Sequence, residues 1–190
     1  MNRFPLNSLN FAHHFVSEHV RPGDFCIDAT AGRGRDTIFL CELVGPTGRV
    51  LAMDIQPQAV AETAARIAEA GYDSVARVVC DSHHRLARYA ESATVDCILF
   101  NFGWLPGGDH QCYTRAETSL PAIRAGLELL RPDGLMSLCI YSGGTNGYDE
   151  RDAILQFVET IDPTQYTVVV SRFANRIGDP PIPVFIVKHG

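Results

Sequence analysis

A glycine-rich turn follows the first apolar run of the chain, where Asp28 precedes Gly32 and Gly34. Glycine permits a tight turn and a close backbone approach, and the helix start that follows offers free N–H groups to an anion. Asp54 ends the next apolar run, where a carboxylate can accept both hydroxyls of a ribose. These residues predict a nucleoside-binding site.

Asp81 and Ser82 follow the third apolar run. A carboxylate there can accept from an adenine amino group, and the serine offers a hydroxyl or backbone donor. The alternative is that such acids only cap helices. Three acids at successive strand ends favour a ligand site. The third glycine of the dinucleotide fingerprint is missing, which disfavours NAD and FAD.

The fourth apolar run leads into Asn101-Phe102-Gly103-Trp104. An Asn side-chain carbonyl can accept hydrogen bonds from an amine and so aim its lone pair. Trp104 offers a flat apolar face on which a base can stack. The alternative is an ordinary strand-to-loop turn with Trp104 in the core.

The elements that position these residues are short apolar runs with helical segments between them. The runs lack clean alternation, as is typical of strands covered on both faces. The predicted strands are 25–29, 50–54, 76–80, 95–100, 135–141, 167–173 and 183–188. The predicted helices are an N-terminal helix, 35–44, 57–70, 84–90, 116–130 and one near 150–160.

This alternation indicates an α/β fold with a parallel sheet and right-handed crossovers. The last two strands are joined by a short loop without a helical pattern, so they are predicted to be an antiparallel pair ending the sheet. Residues 131–134 are predicted to form a turn before the fifth strand. We expect one domain over 1–190, with a helical extension at 1–22.

Composition further narrows the class of protein and the partners that it can bind. The chain has 190 residues, is 46% hydrophobic and carries a net charge of −6. Lys188 is the single lysine, so the positive charge is nearly all arginine. This balance argues against a broad basic face for nucleic acid but leaves room for local arginine contacts. The six cysteines lack C-x-x-C spacing and are predicted to be reduced and buried, without metal. We expect a cytoplasmic protein without a membrane span or secretory signal.

The arrangement of a glycine-rich turn and of acids at successive strand ends resembles that of the class I S-adenosylmethionine-dependent methyltransferases. The resemblance implies a Rossmann-like, doubly wound sheet of about seven strands and S-adenosylmethionine as the cofactor. It places Gly32 and Gly34 near the methionine part of the cofactor and Asp54 near its ribose, and it includes Asp28 among the cofactor-binding residues. It also implies three further cofactor contacts: Asp81 and Ser82 at the adenine, Gln56 at the ribose or adenine, and Asn101.

Over nearly the whole chain, the sequence resembles the narrower YtqB/MnmM-type family of rRNA methylases. The matching segments are DATAGRGRDTIFL, MDIQ, DSHH, NFGWLPGGDH, TRAETSL and YSGG…DE, followed by Asn175…Pro180-Pro181. The resemblance implies N-methylation of the aminomethyl group of a tRNA wobble uridine. Arg33, Arg35 and Gly144 depart from the family pattern, which shows Asn, His and His there.

The implied reaction assigns Asn101 to orientation, with Trp104 and Asp109 as further catalytic candidates. Because an aliphatic amine is mostly protonated at neutral pH, the site must bind the neutral form or accept a proton. Candidate acceptors are Asp109, His110 and His83. The predicted substrate contacts are Trp104, Pro106, His110 and Arg115.

Other hypotheses remain open at this stage. Three alternatives for the substrate stay open: a tRNA that contacts local arginines such as Arg172 and Arg176, another RNA, and a small amine. A nucleotide-binding module without catalysis is the alternative of a different class. A homodimer is a further hypothesis, since two subunits would help a small domain hold a large RNA. His13 and His14 lie on the N-terminal helix, where adjacent side chains diverge, so at most one faces the site.

Overall fold

The computed structural model describes residues 6–103, 114–142 and 147–190. Seven strands form one sheet: β1 Phe25–Asp28, β2 Arg49–Asp54, β3 Ala76–Cys80, β4 Val95–Phe102, β5 Leu130–Ile140, β6 Tyr166–Val170 and β7 Ile182–Lys188. Their order is β3-β2-β1-β4-β5-β7-β6. The first five are parallel, and β7 runs antiparallel to both β5 and β6. The predicted fold class is confirmed.

Among the described residues, five α-helices cover the two faces of the sheet: α1 Ser8–His19, α2 Arg35–Val44, α3 Pro57–Glu69, α4 Ala116–Leu129 and α5 Gly147–Val158. Successive strand residues point to opposite faces, so Cys26 packs in one core cluster and Ile27 in the other. The Cys26 cluster takes in α1, α2 and α3, and the Ile27 cluster takes in α4 and α5. This double covering explains why the strands lack alternation.

Two predicted elements differ from the structure. The helix predicted at 84–90 is a 3-10 helix at His83–Arg88 with non-helical dihedrals at Arg85. The turn predicted at 131–134 is an irregularity within β5. There the pairing passes from Val95 opposite Leu130 to Cys97 opposite Leu135, so extra residues bulge out.

The burial of each described cysteine follows from the element that carries it. Cys26, Cys41, Cys97 and Cys139 are free and buried, as predicted. Burial raises the pKa of Cys41 and of Cys139 to about 12, which keeps both as inert thiols at neutral pH. The prediction was wrong for Cys80, which is exposed because β3 is an edge strand. Within the described residues, no helix is long and apolar enough to span a membrane.

Candidate active site

A cavity of about 360 Å³ opens at the carboxyl ends of β1, β2, β3 and β4. An open α/β sheet places its ligands at this edge. Seven residues predicted from sequence as contacts line the cavity: Gly32, Asp54, Gln56, Asp81, Ser82, Asn101 and Arg115. Both arginines that depart from the family pattern, Arg33 and Arg35, also line it and are exposed.

The Asp54 carboxylate is held by backbone on both oxygens. Gly32 N–H donates to Oδ2 at 2.9 Å, and Gln56 N–H donates to Oδ1 at 2.9 Å. Gly32 has a φ of 52°, and its carbonyl accepts from Thr63 Oγ1 at 3.1 Å. Since a carboxylate oxygen can accept more than one hydrogen bond, Asp54 keeps acceptor capacity in a fixed position for a pair of hydroxyls.

Gly34 allows α2 and α3 to pack closely and does not line the cavity. It is the N-cap of α2 with a φ of 73°, in the left-handed region that favours glycine. A Cβ at this position would lie 3.1 Å from atoms of Thr63 on α3. The residue therefore brings the start of α2 close to α3, and it is not among the residues that line the cavity.

Asp28, which was predicted to be a cofactor contact, lies beneath the turn and is not among the residues that line the cavity. The side chain is fully buried, accepts from Thr37 Oγ1 at 2.6 Å and from Thr30 N–H at 3.3 Å. Burial raises the pKa of Asp28 to about 7, and the nearby Asp36 charge acts in the same direction. Its carboxyl group organises the turn from inside.

Asp81 is engaged by neighbours on its own segment. Its oxygens accept from Tyr89 Oη at 2.8 Å, from Ser82 N–H at 2.8 Å and from Arg85 Nη1 at 3.0 Å. The Tyr89 hydrogen bond is the main cause that lowers the pKa of this carboxyl. Asp81 therefore presents a fixed anionic wall at the end of the cavity predicted for adenine.

Asn101 occupies the end of β4 and is tied to two other elements. Its backbone N–H donates to Thr30 Oγ1 at 2.7 Å, and its side-chain Nδ2 donates to Asp36 Oδ2 at 2.7 Å. The other oxygen of Asp36 lies 2.9 Å from His13 Nε2 on α1. Sequence reasoning did not assign Asp36 to the site, although its position one residue into α2 faces the same strand ends.

The histidines of α1 divide as predicted. His13 faces inward and stacks on Phe39 of α2, with ring centroids 4.0 Å apart, whereas His14 is exposed. The divergence of adjacent helical side chains accounts for this difference.

His83 lines the cavity but is buried among aromatic rings. Its ring meets Phe100 and Phe102 edge-on. Burial lowers the pKa of His83 to about 4, so the ring is neutral at neutral pH. Its Nε2 has no hydrogen-bond partner among the described residues.

Gly103 and Thr114, which flank the segment predicted to hold the substrate, bond to each other. Gly103 N–H donates to Thr114 Oγ1 at 2.7 Å, and Thr114 N–H donates to Gly103 O at 3.0 Å. Thr114 Oγ1 in turn donates to Glu150 Oε2 at 2.7 Å, and burial raises the pKa of Glu150. The predicted residues Trp104, Pro106, Asp109, His110 and Gly144 lie outside the described residues.

A second cavity of about 500 Å³ adjoins the first and shares Leu9 and Tyr141 with it. Its other walls come from the start of α1 and the loop between β6 and β7, including Phe173 and Arg176. Three hydrogen bonds fasten this loop: Ser8 Oγ to Pro181 O, Arg176 Nη2 to Leu6 O, and Tyr148 Oη to Asp179 Oδ2.

Comparison with known proteins gives matches along nearly the whole chain. The chloroplastic tRNA (mnm(5)s(2)U34)-methyltransferase of Arabidopsis thaliana is 31% identical over 189 residues, covering 94% of this chain and 68% of that protein. A crystal structure from Clostridium thermocellum, named a "putative rRNA-methylase", is 36% identical with a TM-score of 0.94, covering 98% of this chain and all of that chain.

A Streptococcus mutans "putative methyltransferase" solved in complex with S-adenosylhomocysteine is 31% identical, with a TM-score of 0.87, covering 97% of this chain and 99% of that chain. The model of the family described as "Putative rRNA methylase" matches residues 50–187, which is well over half of the chain. These matches confirm the resemblance seen in the sequence, and the chain belongs to this rRNA methylase family.

Proposed function

We propose that this protein is an S-adenosylmethionine-dependent methyltransferase that methylates the amino nitrogen of a 5-aminomethyl(-2-thio)uridine at the wobble position of tRNA. The observation that carries the proposal is that Asn101 lines the same cavity as Gly32 and Asp54. The name of the Arabidopsis relative supports the choice of tRNA as the substrate.

The lining of the first cavity fits the cofactor. The backbone-held carboxylate of Asp54 suits two vicinal hydroxyls, and the positive φ of Gly32 lets the turn approach a ligand closely. Asp81 is positioned for an amino group at the other end. When bound, S-adenosylmethionine supplies an electrophilic methyl group on a sulfonium sulfur.

Asn101 would act by orientation. Its side-chain oxygen can accept an N–H of the substrate amine, so that the nitrogen lone pair aims at the methyl carbon. The new N–C bond forms as the S–C bond breaks, and S-adenosylhomocysteine and one proton leave. This proton is released to water, because burial lowers the pKa of His83 to about 4 and so makes that ring a weak base although it lines the cavity.

The second cavity supports a nucleotide as the group that carries the amine. It opens beside Tyr141, next to the cofactor cavity, and offers the Phe173 ring and the Arg176 guanidinium for stacking and charge. A wobble base already lies in a loop, so its extrusion costs less than flipping from a duplex.

The deciding experiment incubates the purified protein and labelled S-adenosylmethionine with tRNA from cells that lack this gene. Mass spectrometry of the nucleosides should show one added methyl on the aminomethyl uridine. A methyl found only on ribosomal RNA or on a small amine would overturn the tRNA assignment.

The Asn101→Ala variant tests, in the same assay, whether Asn101 orients the substrate amine. Binding of S-adenosylmethionine should persist in calorimetry while methyl transfer falls about 100-fold, because the amine is no longer aimed. Transfer at the wild-type rate would refute the role of Asn101. If the wild-type protein binds the cofactor but transfers no methyl to any RNA or amine, the non-catalytic binding module is the correct reading.

A further inference from the structure

The Asn101 side chain has a specific partner that fixes which way its amide faces. Its Nδ2 lies 2.7 Å from Asp36 Oδ2. An ionised carboxylate only accepts hydrogen bonds, so the amide must turn its NH₂ group toward Asp36. The amide carbonyl oxygen then points away from α2 and is left for another donor.

Asp36 is itself held on its second oxygen. His13 Nε2 lies 2.9 Å from Oδ1, and the His13 ring stacks on Phe39 of the same helix that carries Asp36. The Asp36 side chain is only 12% exposed, so water competes little for these bonds. Its position in the first turn of α2 also favours a negative charge.

A second carboxyl group lies close to Asp36. Asp28 is fully buried, and its pKa is raised to about 7 by burial and by the charge of Asp36. The carboxyl group to which the Asn101 amide donates is therefore also the one whose charge acts on Asp28.

We propose that Asp36 is a positioning residue for methyl transfer, which holds the Asn101 carbonyl oxygen toward the substrate amine and is itself held by His13 of α1. This inference rests on the proposed function. It makes the N-terminal helix part of the active site, because the chain of contacts runs from α1 through Asp36 to the end of β4. The same helix contributes Leu9 to both cavities.

Steady-state kinetics on the tRNA substrate test this role with graded variants. Asp36→Ala removes both contacts and should lower kcat about 10- to 100-fold, with the dissociation constant for S-adenosylmethionine within about threefold of wild type. Asp36→Asn should recover part of kcat, since its amide oxygen can still accept from Asn101. His13→Ala should give a smaller loss, and His14→Ala, on the exposed side of α1, should behave as wild type.

A double-mutant cycle separates positioning from a general effect on folding. Asp36→Ala should lower kcat no further in a protein that already carries Asn101→Ala, because the orientation being lost is that of Asn101. An equal loss in both backgrounds would overturn the proposal. So would an Asp36→Ala variant with wild-type kcat.

The orientation can also be read without catalysis, by proton–nitrogen NMR of the side-chain amides. The Asn101 pair is identified by its absence from the Asn101→Ala spectrum. In the wild type, its carboxylate-bonded proton should exchange slowly with solvent, and Asp36→Ala should speed that exchange at least about tenfold. Unchanged exchange would overturn the proposal. Absence of tRNA methylation by the wild type would instead refute the proposed function and leave this readout valid.

Discussion

Two aspartates that the sequence presents alike have different roles at the residue scale. Asp54 faces the cavity with both oxygens held by backbone N–H groups, whereas Asp28 is buried under the turn. Both follow apolar strands, so the sequence pattern alone does not distinguish them. What distinguishes them is depth, which depends on where α2 crosses the strand end.

Asp54→Ala should weaken S-adenosylmethionine binding at least about tenfold, because the ribose hydroxyls lose a charged acceptor. Asp73→Ala is the control, since Asp73 is an exposed acid between α3 and β3 that does not line the cavity. Its dissociation constant should stay within about threefold of wild type. Calorimetric titration checks both, and equal affinity of Asp54→Ala and wild type would refute the ribose assignment.

His83 should make the protein sensitive to acid. Burial lowers the folded-state pKa from its ordinary 6.5 to about 4, so the unfolded chain binds a proton more readily between these values. The contribution of His83 to the free energy of unfolding should therefore fall by up to about 3 kcal/mol as the pH drops from 6.5 to 4, whereas Asp28, whose pKa is raised to about 7, contributes in the opposite direction.

Urea unfolding at several pH values checks this dependence. His83→Phe removes the titrating ring, so the free energy of unfolding of the wild type minus that of the variant should fall by up to about 3 kcal/mol from pH 6.5 to 4, whatever the variant's stability at pH 7. The same slope in both proteins would contradict the assignment of the acid sensitivity to His83.

At the scale of elements, the turn between β1 and α2 depends on close packing against α3. Gly34→Ala should destabilise the protein through both a left-handed backbone and a Cβ that crowds Thr63 at 3.1 Å. Gly71→Ala is the matched control, because its φ is 75° but no atom lies within 4 Å of its Cβ position. We expect about 1 kcal/mol for Gly71→Ala and about 1–3 kcal/mol more for Gly34→Ala.

Equilibrium unfolding in urea measures both glycine variants under the same conditions. A Gly34→Ala variant that loses no more stability than Gly71→Ala would show that Thr63 gives way at little cost. The close approach of α2 to α3 would then not depend on glycine.

The elements were predictable from sequence because burial on both sides leaves a strong signal. All seven strands and the antiparallel pair lie where apolar runs predicted them, for example β2 at Arg49–Asp54 and β7 at Ile182–Lys188. The 3-10 helix at His83–Arg88 and the bulge in β5 were not predictable, because tertiary pairing decides them. The same limit applies to Asp36 and Glu150, whose roles come from partners 65 and 36 residues away.

At the scale of the whole molecule, the net charge of −6 argues against a broad basic face for RNA, so we expect a few local arginine contacts. Since β6 runs parallel to β5, Arg172 just beyond its end lies at the cavity edge of the sheet and is exposed. We expect tRNA affinity to depend on salt through only two to four phosphates, which gives a logarithmic slope of roughly −1.5 to −3.

Arg172→Ala should reduce that slope by about 0.7, the share of one phosphate contact. Arg66→Ala is the control, because Arg66 lies in the last turn of α3 at the opposite edge of the sheet. Filter binding of tRNA at several salt concentrations measures both. An equal change in the two variants would show that Arg172 makes no phosphate contact.

The docking of α1 also bears on how the protein reaches its active form. Phe11 and Phe15 of α1 pack against Phe185 of β7, and Ser8 bonds to the carbonyl of Pro181, 173 residues later. During synthesis, α1 leaves the ribosome long before β7 and must wait for it before this docking is complete. The contact of His13 with Asp36 and the Leu9 wall of both cavities therefore form late, so the nascent chain completes its cofactor cavity and its catalytic site together.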